Sequence, residues 1–187
     1  MKRIAITLIP FILLSMLICP FKVNAAGPET VSTTIPGSYF SGMSSDEILK
    51  KAVENGYSNA VINSDGSLTC TMPKATHDEL LTVMNQAIDE TVADMITGKE
   101  AYSSFKAIVH DDGMTTFNIA VDASLYENSF DYIGLLTFYK LGADYQTMNG
   151  IAKNDINIYI NVLDMSTGLV IDSGNYKDYV SRLISIS

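Results

Sequence analysis

Basic charge is scarce in this sequence: 12 Lys and Arg stand against 21 Asp and Glu in 187 residues, a formal net charge of −9. A protein that grips a phosphate backbone needs clustered cations to displace counterions, so no nucleic-acid partner is expected. Cysteine is as sparse, with Cys19 and Cys70 alone. The paired thiols that staple small secreted domains are therefore missing, and the fold must rest on its apolar core. Tryptophan is absent, and histidine occurs only at His77 and His110. The chain also has no H-E-x-x-H, no G-x-S-x-G, no glycine-rich phosphate loop and no C-x-x-C. Those gaps remove the recognisable zinc-protease, serine-hydrolase, nucleotide and dithiol chemistries, and neither a cofactor nor a bound metal is expected.

Long apolar runs are also few. One stretch from Ile4 to Cys19 is broken only by Thr7, Pro10 and Ser15, follows Lys2-Arg3, and precedes Val23-Asn24-Ala25. Positive start, apolar middle and small residues at the −3 and −1 positions spell a signal peptide over residues 1–25, cleaved after Ala25. The run is shorter than the roughly 20 residues of a bilayer span, so no transmembrane segment is expected once it is cut. Ile18 stands where a lipoprotein needs a small residue before Cys19, so lipidation is disfavoured. Lys2, Arg3 and Lys22 leave with this segment and no acid does, which makes the expected secreted, extracellular form more acidic than the whole chain. Cys70, alternating with Leu68 and Met72, reads as a buried thiol on a strand.

Beyond the leader the chain alternates between two periodicities. Residues 26–43, rich in Ser, Thr, Gly and Pro, read as a flexible linker, and residues 44–187 as a single domain. Ser44 and Glu47 form a capping box ahead of a short helix. Asp65-Gly66 turns a hairpin between Ala60–Ile62 and Leu68–Met72. Thr76 and Glu79 mark the start of a long helix whose stripe runs from Leu80 through Met84 and Ile88 to Met95. A second hairpin folds Phe105–Val109 onto Thr115–Val121. A helical stretch follows from Ser124 to Asn149, then a third hairpin over Ile156–Val162 and Leu169–Ile171, and a last short helix near Tyr179–Ile184. The order α-ββ-α-ββ-α-ββ predicts an α+β two-layer sandwich: a mainly antiparallel sheet of three β-hairpins with helices packed on one face.

Few residues offer chemistry. His110, Asp111 and Asp112 place an imidazole and two carboxylates at a strand end, a set able to hold a cation or to pair acid with base. The same residues suit a solvated hairpin turn, which is the favoured reading. His77, one residue past a helix cap, is expected to be exposed. Asn63, Asp65 and Ser67 have the alternate spacing that opens a calcium loop, but Lys74 stands where the closing acid belongs. Tyr132 to Leu141 is apolar nearly all round, and a helix without a polar face is either buried on both sides or covers a partner. Tyr132, Leu135, Leu136, Phe138 and Tyr139 are the candidate interface. Elsewhere the ten tyrosines read mainly as packing residues, with stacking on sugars as the second option.

The phrase Thr76-His77-Asp78-Glu79-Leu80-Leu81, the helix it opens, the Phe105–Val121 hairpin and the stretch Ile156 to Asp172 resemble small uncharacterised secreted or lipoprotein domains of Gram-positive bacteria. Some of these carry a label linked to antigen I/II surface adhesins. The resemblance implies a cell-surface role and carries no catalytic residue over. The reading is a secreted or cell-surface, non-enzymatic interaction module with an unknown protein or glycan partner or with itself. The alternative is a small extracellular hydrolase or cation-dependent enzyme built on His110, Asp111 and Asp112.

Overall fold

The computed structural model describes residues 29–97 and 102–186. The expected signal peptide lies outside them. Among the described residues no helix is long and apolar enough to cross a membrane. The fold is α+β, and it groups into two compact units, each with its own sheet.

One unit holds residues 29–88 and Thr147–Ala152. Its sheet has three antiparallel strands in the order β1-β3-β2: β1 Thr30–Ile35, β2 Ser58–Ile62 and β3 Leu68–Pro73. Strand β1 falls in the stretch read as linker. All its residues but Ser32 are β-branched, which suits a pleated strand, and it runs beside β3 in unbroken register from Thr30 opposite Pro73 to Ile35 opposite Leu68. The Ser/Thr content of this stretch is strand chemistry instead, with Thr30, Ser32 and Thr34 on one face and Thr33 buried on the other. Helix α1, Ser45–Glu54, begins at the expected capping box: the Ser44 amide donates to Glu47 Oε2 at 2.8 Å, and the Glu47 amide to Ser44 Oγ at 3.4 Å. The Ser44 amide first, then the Ser44 hydroxyl, which also donates to Oε2 at 2.8 Å, hold the Glu47 carboxyl below its ordinary value.

Inward positions of this sheet alternate as the sequence pattern requires: Leu68, Cys70 and Met72 are buried, beside Ile35, Tyr39 and Ile48. Gly37 packs so closely on the hairpin turn that a Cβ there would lie 2.7 Å from the Gly66 carbonyl carbon. Burial pushes the Cys70 thiol up to about 11, which leaves it un-ionised and unreactive at neutral pH. We expect Ellman's reagent at pH 8 to miss Cys70 in the native protein and to label it at the rate of unfolding in urea. Fast native labelling of Cys70, with Cys19 replaced by Ser, would contradict the packing.

Helix α2, Lys74–Thr97, follows β3 directly and starts before the expected Thr76 cap, so Thr76 and His77 lie in its first turn and are buried. Its last residues, from Asp89, belong to the other unit with the described parts of Asp89–Gln146 and Lys153–Ser187. Four strands in the order β4-β5-β6-β7 form the second sheet: β4 Phe105–His110, β5 Thr116–Val121, β6 Tyr159–Asp164 and β7 Val170–Asn175. β4-β5 and β6-β7 are antiparallel hairpins, whereas β5 and β6 run parallel. A parallel pair needs a crossover, supplied here by α3 Ala123–Glu127, a 3-10 turn at Asp131–Gly134 and α4 Leu135–Met148. All three expected hairpins are present, on two sheets rather than one. The chain closes with α5, Tyr176–Ile186.

Candidate functional site

His110 ends β4, where the chain must turn. Its Nε2 lies 3.0 Å from Asp89 Oδ1 on α2 and its Nδ1 lies 3.1 Å from the Asp111 carbonyl, while the ring tilts over Phe117 at 5.6 Å. Both nitrogens face acceptors, so both contacts are made together only when both nitrogens carry a proton. The Asp111 carboxylate is engaged by the turn instead. Its Oδ1 accepts from the Thr115 amide at 2.6 Å and the Thr116 amide at 3.1 Å, and its Oδ2 accepts from the Thr115 hydroxyl. Partial burial raises the Asp111 carboxyl, but the Thr115 hydroxyl and the Thr116 and Thr115 amides outweigh it and hold the group below its ordinary value. The triad named from sequence thus divides: His110 ties the hairpin to α2, and Asp111 closes the turn with the multiple local bonds typical of an Asx motif. Asp112 sits exposed at the tip.

The other candidates are also bound into structure. His77, expected at the surface, is buried, with Nε2 3.0 Å from the Met148 carbonyl. The Thr33 hydroxyl donates to that same oxygen, so a C-terminal carbonyl of α4, orphaned by helix geometry, meets two side chains. In the calcium-like loop, Asp65 Oδ1 takes the Ser67 amide at 3.0 Å and hydroxyl at 2.6 Å, and the Asn63 amide donates to Ser67 Oγ and Thr69 Oγ1, both at 2.9 Å. These bonds aim the oxygens at the turn itself. Among the described residues no cluster of three metal-ligating side chains forms.

The candidate interface separates into two parts. Phe138 and Tyr139 are buried within the fold, which corrects their assignment to a contact surface. Phe138 packs against Phe117 at 5.1 Å with the rings inclined at 38°, while Tyr139 lies 5.1 Å from Tyr179 with nearly parallel rings, its hydroxyl over Gly174. Helix α4 is covered along much of its length by the fold, since Leu141 and Tyr145 are buried too. Leu135 is half-buried. Tyr132 and Leu136 remain open at 50% and 40% exposure, beside Phe130 at 76%. Phe130 and Tyr132 lie 6.2 Å apart with rings inclined at 53°.

Three residues that motif reasoning passed over carry the polar architecture. Buried Asp131 accepts the Ser104 amide at 2.9 Å, the Ser104 hydroxyl at 2.8 Å and the Ser103 hydroxyl at 3.2 Å. Buried Gln146 donates to the carbonyls of Met114 and Asn157 at 3.0 and 2.9 Å, and accepts the Asn157 amide at 3.1 Å. The Tyr126 hydroxyl donates to Asp172 at 3.0 Å, and burial first, then that carboxylate, push the phenol up. No local sequence signal marks Asp131 or Gln146, because both lie among other polar residues and their partners are distant along the chain. No family model matches the chain, and no curated protein or solved structure does either.

Proposed function

We propose that the chain is exported and acts outside the cell as a non-enzymatic interaction module, with the surface around Phe130, Tyr132 and Leu136 meeting a partner protein. The observation that carries this reading is the exposed ring pair at Phe130 and Tyr132. Two neighbouring rings left half or more in water ahead of α4 cost solvation and contribute little to the core, which suits a contact surface. A sugar stacks on a flat platform, while two rings inclined at 53° form a notch better matched to an apolar side chain. His110 and Asp111, by contrast, spend their polar atoms on a turn and a helix contact.

The test is binding of fluorescently labelled protein to washed cells of the producing strain, together with a panel of fluorogenic esters, phosphoesters and glycosides. Saturable binding that protease treatment of the cells removes is the expected result, with no turnover. Binding that survives protease and is lost to periodate would replace the protein partner by a glycan. Turnover abolished by His110→Ala would overturn the reading in favour of the hydrolase. Export is checked by N-terminal sequencing of protein from the medium, expected to begin at Ala26.

A further inference from the structure

Exposed sheet edges are templates for pairing with another chain, and proteins blunt them with bulges and charges. Three of the four edges here are blunted in that way. The register of β2 on β3 slips between Ser58 and Val61, with Asn59 in the left-handed region at φ 51°. On β4 the extra residue is Lys106, between Phe105 and Ala107, so this edge carries both a bulge and a cation. On β7 it is Ile171, since Val162 and Leu163 face Asp172 and Val170. Edge strand β1 differs: its six residues keep continuous register with β3, include no charged side chain, and make no backbone hydrogen bond other than to β3 among the described residues.

We infer that β1 is an open edge that pairs antiparallel with β1 of a second copy. Two features of β1 favour a copy of itself. The chain carries a net charge of −9, and self-association anywhere acidic would set like charges against each other. Pairing along Thr30–Ile35 brings none together on the strand. The strand is also self-complementary in pattern. Thr30, Ser32 and Thr34 share one face, and Val31, Thr33 and Ile35 the other, since side chains alternate. Antiparallel pairing about a two-fold axis at Ser32 sets Ser32 against Ser32, Thr30 against Thr34, and Val31 against Thr33. Every hydroxyl of the outer face then meets a hydroxyl, extending the rows already formed by Thr34 with Thr69 at 3.0 Å and by Ser32 opposite Thr71. The product is one six-stranded antiparallel sheet shared by two copies. It is independent of the Phe130 surface.

Sedimentation equilibrium of the full chain, with Cys19→Ser throughout, tests the inference. A concentration-dependent dimer is expected. Ser32→Lys, which opposes two ammonium groups at the axis, should weaken it by about tenfold or more with unchanged circular dichroism. Under mild oxidation Ser32→Cys should yield a disulfide-linked dimer, since directly opposed Cβ atoms lie within reach of a disulfide, while Lys106→Cys on the bulged edge should not. The Ser32→Cys result stands even if Ser32→Lys fails to fold. A wild-type monomer up to millimolar protein overturns the inference. So does a dimer that survives Ser32→Lys, forms no Ser32 cross-link, or is broken by Phe130→Ala with Tyr132→Ala.

Discussion

Replacing Phe117 by alanine is expected to lower stability by about 3–5 kcal/mol, the range for deleting a fully enclosed aromatic ring. Phe117 is completely buried on β5, an inner strand of the four-stranded sheet, with Phe138 of α4 at 5.1 Å and the His110 ring at 5.6 Å. Removing it takes the floor from under the histidine and the wall from α4 in one change, and neither side can collapse without moving the strand ladder. Urea unfolding should show a lower midpoint with an unchanged slope. Val109→Ala, on the edge strand β4 and largely exposed, serves as the reference and should stay within about 0.5 kcal/mol. Equal losses for the two variants would mean that the β5–α4 contact is not the centre of this unit.

The second large effect is electrostatic and local. Asp131→Ala should cost about 3 kcal/mol, because it strands the buried amide and hydroxyl of Ser104, and an unpaired buried donor costs about 1–3 kcal/mol. Asp131→Asn keeps one acceptor oxygen and should recover part of that loss, which separates lost hydrogen bonds from lost charge. Amide exchange at Ser104, read by NMR, should accelerate in the alanine variant well before global unfolding. Protection equal to wild type would show that another group holds this amide.

These residues illustrate what a sequence discloses. Turns and caps are local chemistry, so Asp65-Gly66 and the Ser44–Glu47 box could be placed by inspection, and Gly66 does take positive φ. At Asp112-Gly113 the left-handed residue is instead Met114, a buried side chain whose carbonyl Gln146 holds. That outcome depends on contacts far along the chain. The division into two sheets and the parallel β5–β6 pair depend likewise on long-range pairing, which periodicity does not encode. Strand β1 was hidden because hydroxyl-rich, β-branched residues serve both linkers and strands. Helix α4 was legible as a helix without a polar face, but pattern alone could not decide between burial by its own unit and burial by a partner. Phe138 and Tyr139 are buried within the fold, whereas Tyr132 and Leu136 are exposed.

The central claim is that the residues able to do chemistry serve the fold while the exposed rings serve contact. It is tested most directly by measuring urea stability and cell binding side by side for His110→Ala, Asp111→Ala and the pair Phe130→Ala with Tyr132→Ala. The account predicts a clean separation. The first two lower stability, through the lost Asp89 contact and the opened turn, and bind as wild type does. The ring pair leaves stability within about 0.5 kcal/mol, since both side chains are largely exposed, and weakens binding by about tenfold or more. Binding lost with His110 or Asp111 and kept without the rings would contradict it.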